Sequence, residues 1–308
     1  MYGYLPYMVQ RYFQFLGLEQ TKQLLIANEK PLKPYIRVNT LKIEPDILKS
    51  RLENKGFKLK ANKWLSYAFE VLKSPYNLGA THEFLLGYYY LQNLASMLPV
   101  SILNPQKGDV VIDMCAAPGS KATQLAQIME DQGDLILIEK NPKRIPALIM
   151  NIRRLGITNS IILNFDAIKL NQYKIKADKI LLDAPCTGEG LIREDPTRRK
   201  SRSIKDLKKM SIIQKQLLKS GLLSLKPFGQ LLYSTCSIAP EENELVVNEV
   251  LNELKDFSIA KISKGYGANG LNKVFGLKLR DDLRFSQRFY PHLQDTIGFY
   301  LCVIQKLD

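Results

Sequence analysis

The sequence predicts an α/β protein, with a doubly wound, Rossmann-like sheet preceded by a small N-terminal α/β domain. Two observations support this fold class. From Gly108 onward the chain alternates strand-like apolar runs, short loops and helical patterns, which is typical of a mostly parallel sheet covered by helices on both faces. Before that point, about residues 30–75 carry strand-like runs around one helical pattern. We therefore expect two domains, residues 1–86 and residues 87–308.

The first 86 residues predict helices followed by a small sheet. Apolar residues recur at roughly helical spacing before residue 29 and predict one or two amphipathic helices: Tyr12, Phe13, Leu16, Leu24 and Leu25. Residues 35–41 alternate, with Arg37 and Asn39 on one face, and predict a strand, while residues 45–54 predict a helix. Strand character resumes around residues 70–72. Scattered lysines make this sheet a candidate RNA-binding face, and the alternative is a solvated accessory domain.

The remaining elements are predicted from short apolar runs. Residues 87–97, which include three consecutive tyrosines, predict a helix that leads into the second domain. Tyrosines at such a junction suit either base stacking or packing. Strands are predicted at residues 110–114, 135–139, 161–165, 179–183, 230–234 and 297–304, with helices between most of them.

The composition favours a folded protein that binds a polyanion. The chain has 308 residues, of which 45% are apolar, a length that suits about two domains. Lys and Arg outnumber Asp and Glu by 44 to 30, which gives a net charge of +14. Nucleic acid is the leading polyanion, although an excess of lysine also serves solubility.

The cysteines and the N-terminal residues predict the cellular location and the redox state of the thiols. Four cysteines without a Cys-x-x-Cys spacing, and only two histidines, argue against a zinc site and against a disulfide framework. The first ten residues lack the charged and apolar blocks of a signal peptide, and no apolar run approaches about 18 residues. We expect a cytoplasmic monomer with reduced thiols and no association with a membrane.

Two predicted strands end in small polar residues and a cysteine. One apolar run leads into Asp183 and Cys186, and a later one leads into Ser234 and Cys236. The carboxyl ends of parallel strands share one edge of a sheet, so two thiols and a carboxylate are expected to meet in one cleft. An enzyme with a thiolate nucleophile beside an acid has this arrangement. Each cysteine alone is also compatible with a small buried apolar residue, and spacing leaves the two interchangeable as nucleophile.

The loop after residues 110–114 predicts a nucleoside cofactor. Its small residues let a ligand approach the backbone, and Glu139 lies where an acid usually binds ribose hydroxyls. A dinucleotide loop needs more glycines than Gly119 and no acid such as Asp113, so S-adenosylmethionine, which lacks phosphate, fits better. Asp166 is then placed to accept the adenine amino group. The predicted cofactor-binding residues are Cys115, Ala116, Ala117, Pro118, Gly119, Ser120, Lys121, Glu139, Arg144, Asp166 and Asp183.

These motifs resemble a known family. Residues 113–121, 182–190, 233–237 and 240–244, together with 37–40 and 288–292, resemble the RNA (cytosine-5)-methyltransferases, the group that contains the bacterial Sun protein. The resemblance covers nearly the entire chain and is strongest to the compact archaeal tRNA methyltransferases. Two positions depart from the family pattern: Gln294 stands where a second histidine is common, and Asn93 stands where an acid often follows Gln92.

The resemblance implies both a reaction and roles for the site residues. It implies S-adenosylmethionine-dependent methylation of cytosine carbon 5 in tRNA, through a covalent bond between Cys236 and carbon 6. Asp183 then contacts the ring nitrogen, and Cys186 assists loss of the carbon-5 proton and release. Lys121 is predicted to hydrogen-bond Asp183 or the substrate, with an exposed lysine at a helix start as the alternative. Ribosomal RNA is the nearest alternative substrate, and a noncatalytic RNA-binding or assembly factor is the alternative class.

A basic run at residues 193–202 directly follows the motif that carries Cys186. Its arginines are candidates for holding RNA phosphates, and a solvated basic loop is the alternative. The thiols of Cys115 and Cys302 are assigned to packing, the latter inside an apolar strand.

Overall fold

The computed structural model describes residues 2–263 and 265–308, which form two compact units. One, the terminal unit, combines the N-terminal residues up to Leu32 with Ile168–Asp308, and the other, the central unit, is Lys33–Ala167. The predicted domain division at residue 86 stays a prediction. In the described part of the chain, no helix has the length and apolar character needed to cross a membrane.

The helices and strands alternate as the sequence predicts from residue 110 to residue 253, whereas the short strands between residues 257 and 289 were not predicted. The helices are α1 (Pro6–Ala27), α2 (Pro45–Glu53), α3 (His82–Leu85), α4 (Leu94–Leu103), α5 (Ser120–Ile128), α6 (Ile145–Leu155), α7 (Ile204–Leu223), α8 (Glu244–Glu253) and α9 (Pro291–Gln294). The strands are β1 (Tyr35–Val38), β2 (Lys58–Ala61), β3 (Ala68–Lys73), β4 (Tyr89–Leu91), β5 (Val110–Asp113), β6 (Asp134–Ile138), β7 (Ser160–Leu163), β8 (Ala177–Asp183), β9 (Leu225–Thr235), β10 (Phe257–Ile259), β11 (Ala268–Asn269), β12 (Lys273–Val274), β13 (Leu277–Lys278), β14 (Gln287–Phe289) and β15 (Phe299–Lys306).

The central unit holds two groups of strands. An antiparallel sheet has the order β2-β3-β1-β4, and its buried face packs with α2 through Leu48 and Leu52. Strands β5, β6 and β7 are parallel neighbours in that order. Parallel pairing places the carboxyl ends of these three strands at one edge, where the loops that follow them meet.

The terminal unit places the second group of motifs on neighbouring strands. β8 and β9 are parallel, with Asp183 opposite Ser234, and β15 runs antiparallel to β9. Cys302 is fully buried on β15, which agrees with its assignment to packing. Burial raises the pKa of this thiol well above its ordinary value.

The predicted helix at residues 87–97 is wrong in its first half. Residues 89–91 form strand β4, which pairs with β1, and the helix begins only at Leu94. Aromatic side chains favour strands when a partner strand is available, and here β1 provides the backbone hydrogen bonds. Gly87 turns the chain into β4 with a φ of 75°, and an added Cβ there would lie 1.9 Å from the carbonyl oxygen of Arg154.

The two polar residues of the predicted strand at residues 35–41 are buried rather than exposed to solvent. Arg37 and Asn39 are 0% and 1% exposed. Arg37 donates to the side-chain oxygens of Gln92 (2.7 Å) and Thr123 (2.8 Å), while Asn39 donates to the backbone oxygen of Leu155 (2.9 Å). Both residues therefore brace the interior of the central unit, and the RNA-binding role of this sheet, which rests on its lysines, stays a prediction.

Helix α1 is one element interrupted at Gly17, which has a φ of 77°. The Nη1 atom of Arg11 lies 2.9 Å from Oε1 of Glu189, and its Nε lies 2.7 Å from Oε1 of Glu241. The Glu189 side chain is 1% exposed. Burial raises the pKa of Glu189 to about 7, and the Arg11 charge acts in the opposite direction.

Replacing Arg11 with methionine is expected to lower the free energy of unfolding by about 3 kcal/mol, because a buried carboxylate would lose its cation. The loss in the free energy of unfolding should be greater at pH 8 than at pH 6. With a pKa of about 7, Glu189 is mostly ionised at pH 8 and mostly protonated at pH 6, so removal of the Arg11 charge matters more at the higher pH. Urea titrations at both pH values measure the effect.

The matched control for this prediction is Lys22→Met. Lys22 forms an exposed ion pair with Glu19 at 3.0 Å on the same helix, so its replacement should change stability by less than about 0.5 kcal/mol. Equal losses in the two variants would contradict a special role for the buried Arg11 pair.

Candidate active site

The two thiols of the predicted nucleophile motifs lie against each other in the terminal unit. Cys236 directly follows β9, and Cys186 lies three residues beyond the end of β8. Their Sγ atoms are 3.1 Å apart, at hydrogen-bonding distance, and both residues are half-buried. The structure therefore brings together the two cysteines that the sequence placed at neighbouring strand ends. They are called the thiol pair below.

The surroundings of the thiol pair disfavour ionisation of Cys186. The hydrogen bond with Cys236 is the main cause that raises the pKa of Cys186, and burial adds to it. Either sulfur can be the donor of this hydrogen bond. Sequence spacing left the two cysteines interchangeable as nucleophile, and the raised pKa of Cys186 favours Cys236.

Asp183 is the acid of the same motif and ends β8. The Ser234 hydroxyl donates to its Oδ1 at 2.7 Å, across the two parallel strands. This contact fixes the carboxylate relative to β9, the strand that leads into Cys236. The predicted nucleophile and the predicted acid thus lie at the ends of adjacent strands.

The segment around Cys186 is anchored on both sides by residues for which the sequence predicted no such role. Gln214 on α7 donates to the backbone oxygen of Pro185 at 2.8 Å. Glu242 accepts hydrogen bonds from Thr187 through both carboxylate oxygens, each at 2.7 Å. Glu242 belongs to a motif that contributed to the resemblance, whereas a glutamine buried on a helix gives no local signal.

The arginines of residues 193–202 are engaged within the fold. Each donates to backbone oxygens: Arg193 to Lys30 (2.9 Å), Arg198 to Thr187 (2.9 Å), Arg199 to Tyr2 (3.1 Å) and Arg202 to Thr187 (3.1 Å). The contacts of Arg198 and Arg202 tie the segment to the motif that carries Cys186. The segment is therefore packed onto the fold rather than a solvated loop, and the role of its arginines in holding RNA phosphates stays a prediction.

The predicted cofactor loop lies at the carboxyl edge of the central unit's parallel strands. β5 ends at Asp113, whose Oδ1 accepts the Cys115 amide at 3.2 Å, and Cys115 is half-buried. The Ala116 amide donates to Ile138 at the end of β6 (2.9 Å). Gly119 precedes α5 with a φ of 106°, a conformation that favours glycine. The Ala117–Pro118 peptide bond is cis.

The acids predicted to bind the cofactor occupy successive strand ends. Glu139 directly follows β6, is 4% exposed, and accepts the Asn141 amide at 2.8 Å. Arg144 lies 3.2 Å from Glu139 and also donates to the backbone oxygen of Ala117, so it ties this acid to the loop. Asp166 follows β7 and pairs with Lys140 at 2.6 Å.

This donor set fits S-adenosylmethionine. The acids after β5, β6 and β7 lie along one edge, where they suit the amino group, the ribose hydroxyls and the adenine amino group of a nucleoside. The loop has one glycine and an acid, which disfavours a pyrophosphate. Lys121 is buried and donates to the Ser96 hydroxyl at 2.9 Å, so the alternative of an exposed lysine at a helix start is wrong.

Replacing Glu139 with alanine is expected to weaken S-adenosylmethionine binding about 30-fold, because hydrogen bonds to a buried charged acceptor contribute about 1.5–3 kcal/mol. Isothermal titration calorimetry measures the change. The matched control is Glu130→Ala, which removes an exposed carboxylate paired with Lys107 at 2.6 Å and should leave affinity unchanged. An unaltered dissociation constant for Glu139→Ala would contradict the ribose assignment.

Family models match most of the chain. The model described as "16S rRNA methyltransferase RsmB/F" matches residues 100–305. A second model, described as "Methyltr_RsmF/B-like, ferredoxin-like domain", matches residues 6–78. The N-terminal α/β domain predicted from the sequence is therefore of the ferredoxin-like type.

Individual relatives support the same family. The tRNA (cytosine(49)-C(5))-methyltransferase of Pyrococcus abyssi is 35% identical over 301 residues, covering 97% of this chain and 95% of the relative. The 28S rRNA (cytosine-C(5))-methyltransferase of Mus musculus is also 35% identical and matches 100% of this chain, but only 39% of the relative. A solved methyltransferase homolog from Pyrococcus horikoshii has a TM-score of 0.90 at 38% identity, covering 99% of this chain and 96% of the other.

The chain thus spans about half the length of several curated relatives that it matches, from 38% to 52% for the eukaryotic ribosomal RNA enzymes. The match to the Pyrococcus abyssi enzyme covers nearly all of both proteins. The predicted resemblance and the Rossmann-like fold class are confirmed. The chain belongs to the RsmB/F family of RNA cytosine-C5 methyltransferases, whose methyl donor is S-adenosylmethionine.

Proposed function

We propose that this chain methylates carbon 5 of cytosine in tRNA. The observation that carries the proposal is the thiol pair, with 3.1 Å between the Sγ atoms of Cys186 and Cys236 at the ends of two parallel strands. Carbon 5 of cytosine is a weak nucleophile until a thiolate adds to carbon 6. A nucleophilic thiol with an adjacent proton donor supplies that chemistry.

Cys236 is the proposed nucleophile. Its thiolate bonds to carbon 6, and the electrons of the 5,6 double bond make carbon 5 electron-rich. The raised pKa of Cys186 keeps the neighbouring sulfur protonated, so Cys186 acts as a hydrogen-bond donor. The family resemblance also makes Cys236 the nucleophile and Cys186 the residue that assists release.

Asp183 is the proposed partner of the cytosine ring nitrogen. Negative charge accumulates on that side of the ring when the thiolate adds, and a proton shared between the nitrogen and a carboxyl group neutralises it. The 2.7 Å hydrogen bond from Ser234 holds Asp183 in a fixed orientation for this contact. S-adenosylmethionine, when bound, supplies the electrophilic methyl group to carbon 5.

The choice of tRNA rests on the relatives. The Pyrococcus abyssi enzyme named for tRNA aligns over 95% of its own length. Ribosomal RNA is the second candidate, because the family model is described by 16S rRNA and the mouse 28S rRNA enzyme is equally identical at 35%. The net charge of +14 suits either RNA.

The proposal is tested with RNA in which cytosine is replaced by 5-fluorocytosine. The purified protein is incubated with S-adenosylmethionine and either tRNA or ribosomal RNA prepared in this way. Fluorine cannot leave carbon 5 as a proton does, so the enzyme should remain covalently attached to its substrate. We expect a denaturation-resistant adduct with tRNA and little adduct with ribosomal RNA.

The result separates the candidate functions. An adduct with ribosomal RNA alone would replace the proposed substrate while keeping the reaction. No adduct and no methyl transfer with either RNA would contradict the proposed activity and favour a noncatalytic RNA-binding factor.

A further inference from the structure

Glu242 is a buried carboxylate whose hydrogen-bond donors are neutral. It lies in a short turn, Pro240–Glu242, between β9 and α8, and is 0% exposed. The Thr187 amide and hydroxyl donate to Oε1 and Oε2 at 2.7 Å each, and the Gln214 side-chain amide donates to Oε1 at 3.3 Å. Burial raises the pKa of Glu242 above its ordinary value.

Burial of such a carboxylate lowers the stability of the folded state. Removing a carboxylate from water is unfavourable, and neutral donors compensate less than a cation does. Here both oxygens accept from Thr187, which directly follows Cys186, and the side chains of Gln214 and Ser237 supply further neutral hydrogen bonds. The other neighbour of Cys186, Pro185, is held through its carbonyl by Gln214, which also contacts Glu242.

We propose that Glu242 is a positioning residue that holds Cys186 against Cys236 by fixing the Thr187 backbone and hydroxyl. This inference deepens the proposed function and rests on it for its kinetic consequence. Without the two bonds from Thr187 to Glu242, the segment around Cys186 is held on its C-terminal side only through the Thr187 carbonyl, to which Arg198 and Arg202 donate. The thiol then spends less time at hydrogen-bonding distance from the Cys236 sulfur.

The consequence concerns the release step. The carbon 5–hydrogen bond breaks, its electrons restore the 5,6 double bond, and the bond between sulfur and carbon 6 breaks with its electron pair returning to Cys236. The proton passes to water. A Cys186 thiol held in place donates a hydrogen bond to the departing sulfur, so a displaced Cys186 should slow release more than methyl transfer.

The first test measures thiol proximity without RNA. Diamide oxidises two adjacent thiols to a disulfide, and its N=N bond takes up the two protons and two electrons. Peptide mapping identifies the bridge between Cys186 and Cys236. We expect Glu242→Gln to form this bridge at least fivefold more slowly than the wild type, because an amide accepts only one of the two Thr187 hydrogen bonds.

The second test follows single turnovers with unmodified tRNA. In Glu242→Gln, methyl transfer should stay within threefold of the wild type, whereas a denaturation-resistant protein–RNA band should increase at least tenfold. Thr187→Val removes only the hydroxyl donor and should give a smaller change in the same direction. If Glu242 acts through Thr187, the double variant should retain more than the product of the two single effects predicts.

Controls separate positioning from general damage. Glu249→Gln changes an exposed carboxylate of α8 that pairs with Lys215, and it should behave as the wild type in both tests. If Glu242→Gln does not fold, Thr187→Val carries both measurements alone. Unchanged bridge formation in a folded Glu242→Gln protein would overturn the inference, as would equal slowing of transfer and release.

Failure of the proposed function gives a different pattern. The wild type could fail to methylate RNA and fail to form a 5-fluorocytosine adduct, while the diamide bridge still forms more slowly in Glu242→Gln. That result would refute the activity and retain the positioning role. The diamide experiment therefore decides the inference independently of the reaction.

Discussion

Replacing Cys236 with alanine is expected to abolish methyl transfer to RNA, with a loss of at least about 10⁴-fold, while S-adenosylmethionine binding stays unchanged. Without a thiolate at carbon 6, carbon 5 of cytosine does not become nucleophilic enough to accept the methyl group. Cys186 is not expected to substitute, because its hydrogen bond and burial raise its pKa and keep it protonated. Methyl incorporation under single-turnover conditions measures the loss.

Two measurements accompany this variant. Calorimetry should give the wild-type affinity for S-adenosylmethionine, because Cys236 is not among the residues predicted to bind the cofactor. Cys302→Ala is the matched control, since it removes a buried thiol on β15 that is assigned to packing. Substantial turnover by Cys236→Ala would show that Cys186 is the nucleophile.

The second large effect is expected for Cys186→Ala, which should permit methyl transfer but block release of the RNA. Cys186 lies 3.1 Å from the Cys236 sulfur, and its thiol is placed to donate a hydrogen bond to that sulfur as the covalent bond breaks. Losing a hydrogen bond to a developing charge costs about 1.5–3 kcal/mol. We therefore expect release to slow by about 10- to 100-fold.

Denaturing gels with unmodified RNA test this expectation. A slowly migrating protein–RNA band should accumulate in Cys186→Ala and be absent in the double variant Cys186→Ala/Cys236→Ala. Cys186→Ser, which keeps a hydrogen-bond donor, should release RNA faster than the alanine variant. A Cys186→Ala protein that turns over at the wild-type rate without a covalent band would contradict the assigned role.

Much of the fold follows from local patterns. Apolar runs that end in small polar residues predicted the strands that deliver Asp183 and Cys236 to their positions, and acids at strand ends predicted the edge that carries Glu139. These signals are local because a parallel strand buried on both faces must be apolar, and its carboxyl end must then turn. The motifs also carried enough information to predict the family.

Contacts between residues far apart in the chain could not be predicted from local patterns. The alternating pattern placed Arg37 on one face of a strand but did not indicate that it is buried and donates to Gln92 and Thr123. The three tyrosines before Leu91 looked helical, but pairing with β1 made part of them a strand. In both cases the partner lies elsewhere in the chain, so no local pattern predicts the outcome.

Periodicity and strand-end residues were enough to predict most strands of the parallel sheet, the two cysteine motifs and the acids at the strand ends, because these signals are local. Which residues hold Cys186 in place, and why its thiol resists ionisation, depends on contacts between segments far apart in the chain. The pKa of Cys186 depends on a sulfur 50 residues away at 3.1 Å. The anchoring by Glu242, 55 residues from Thr187, likewise exists only once β8 and β9 are paired.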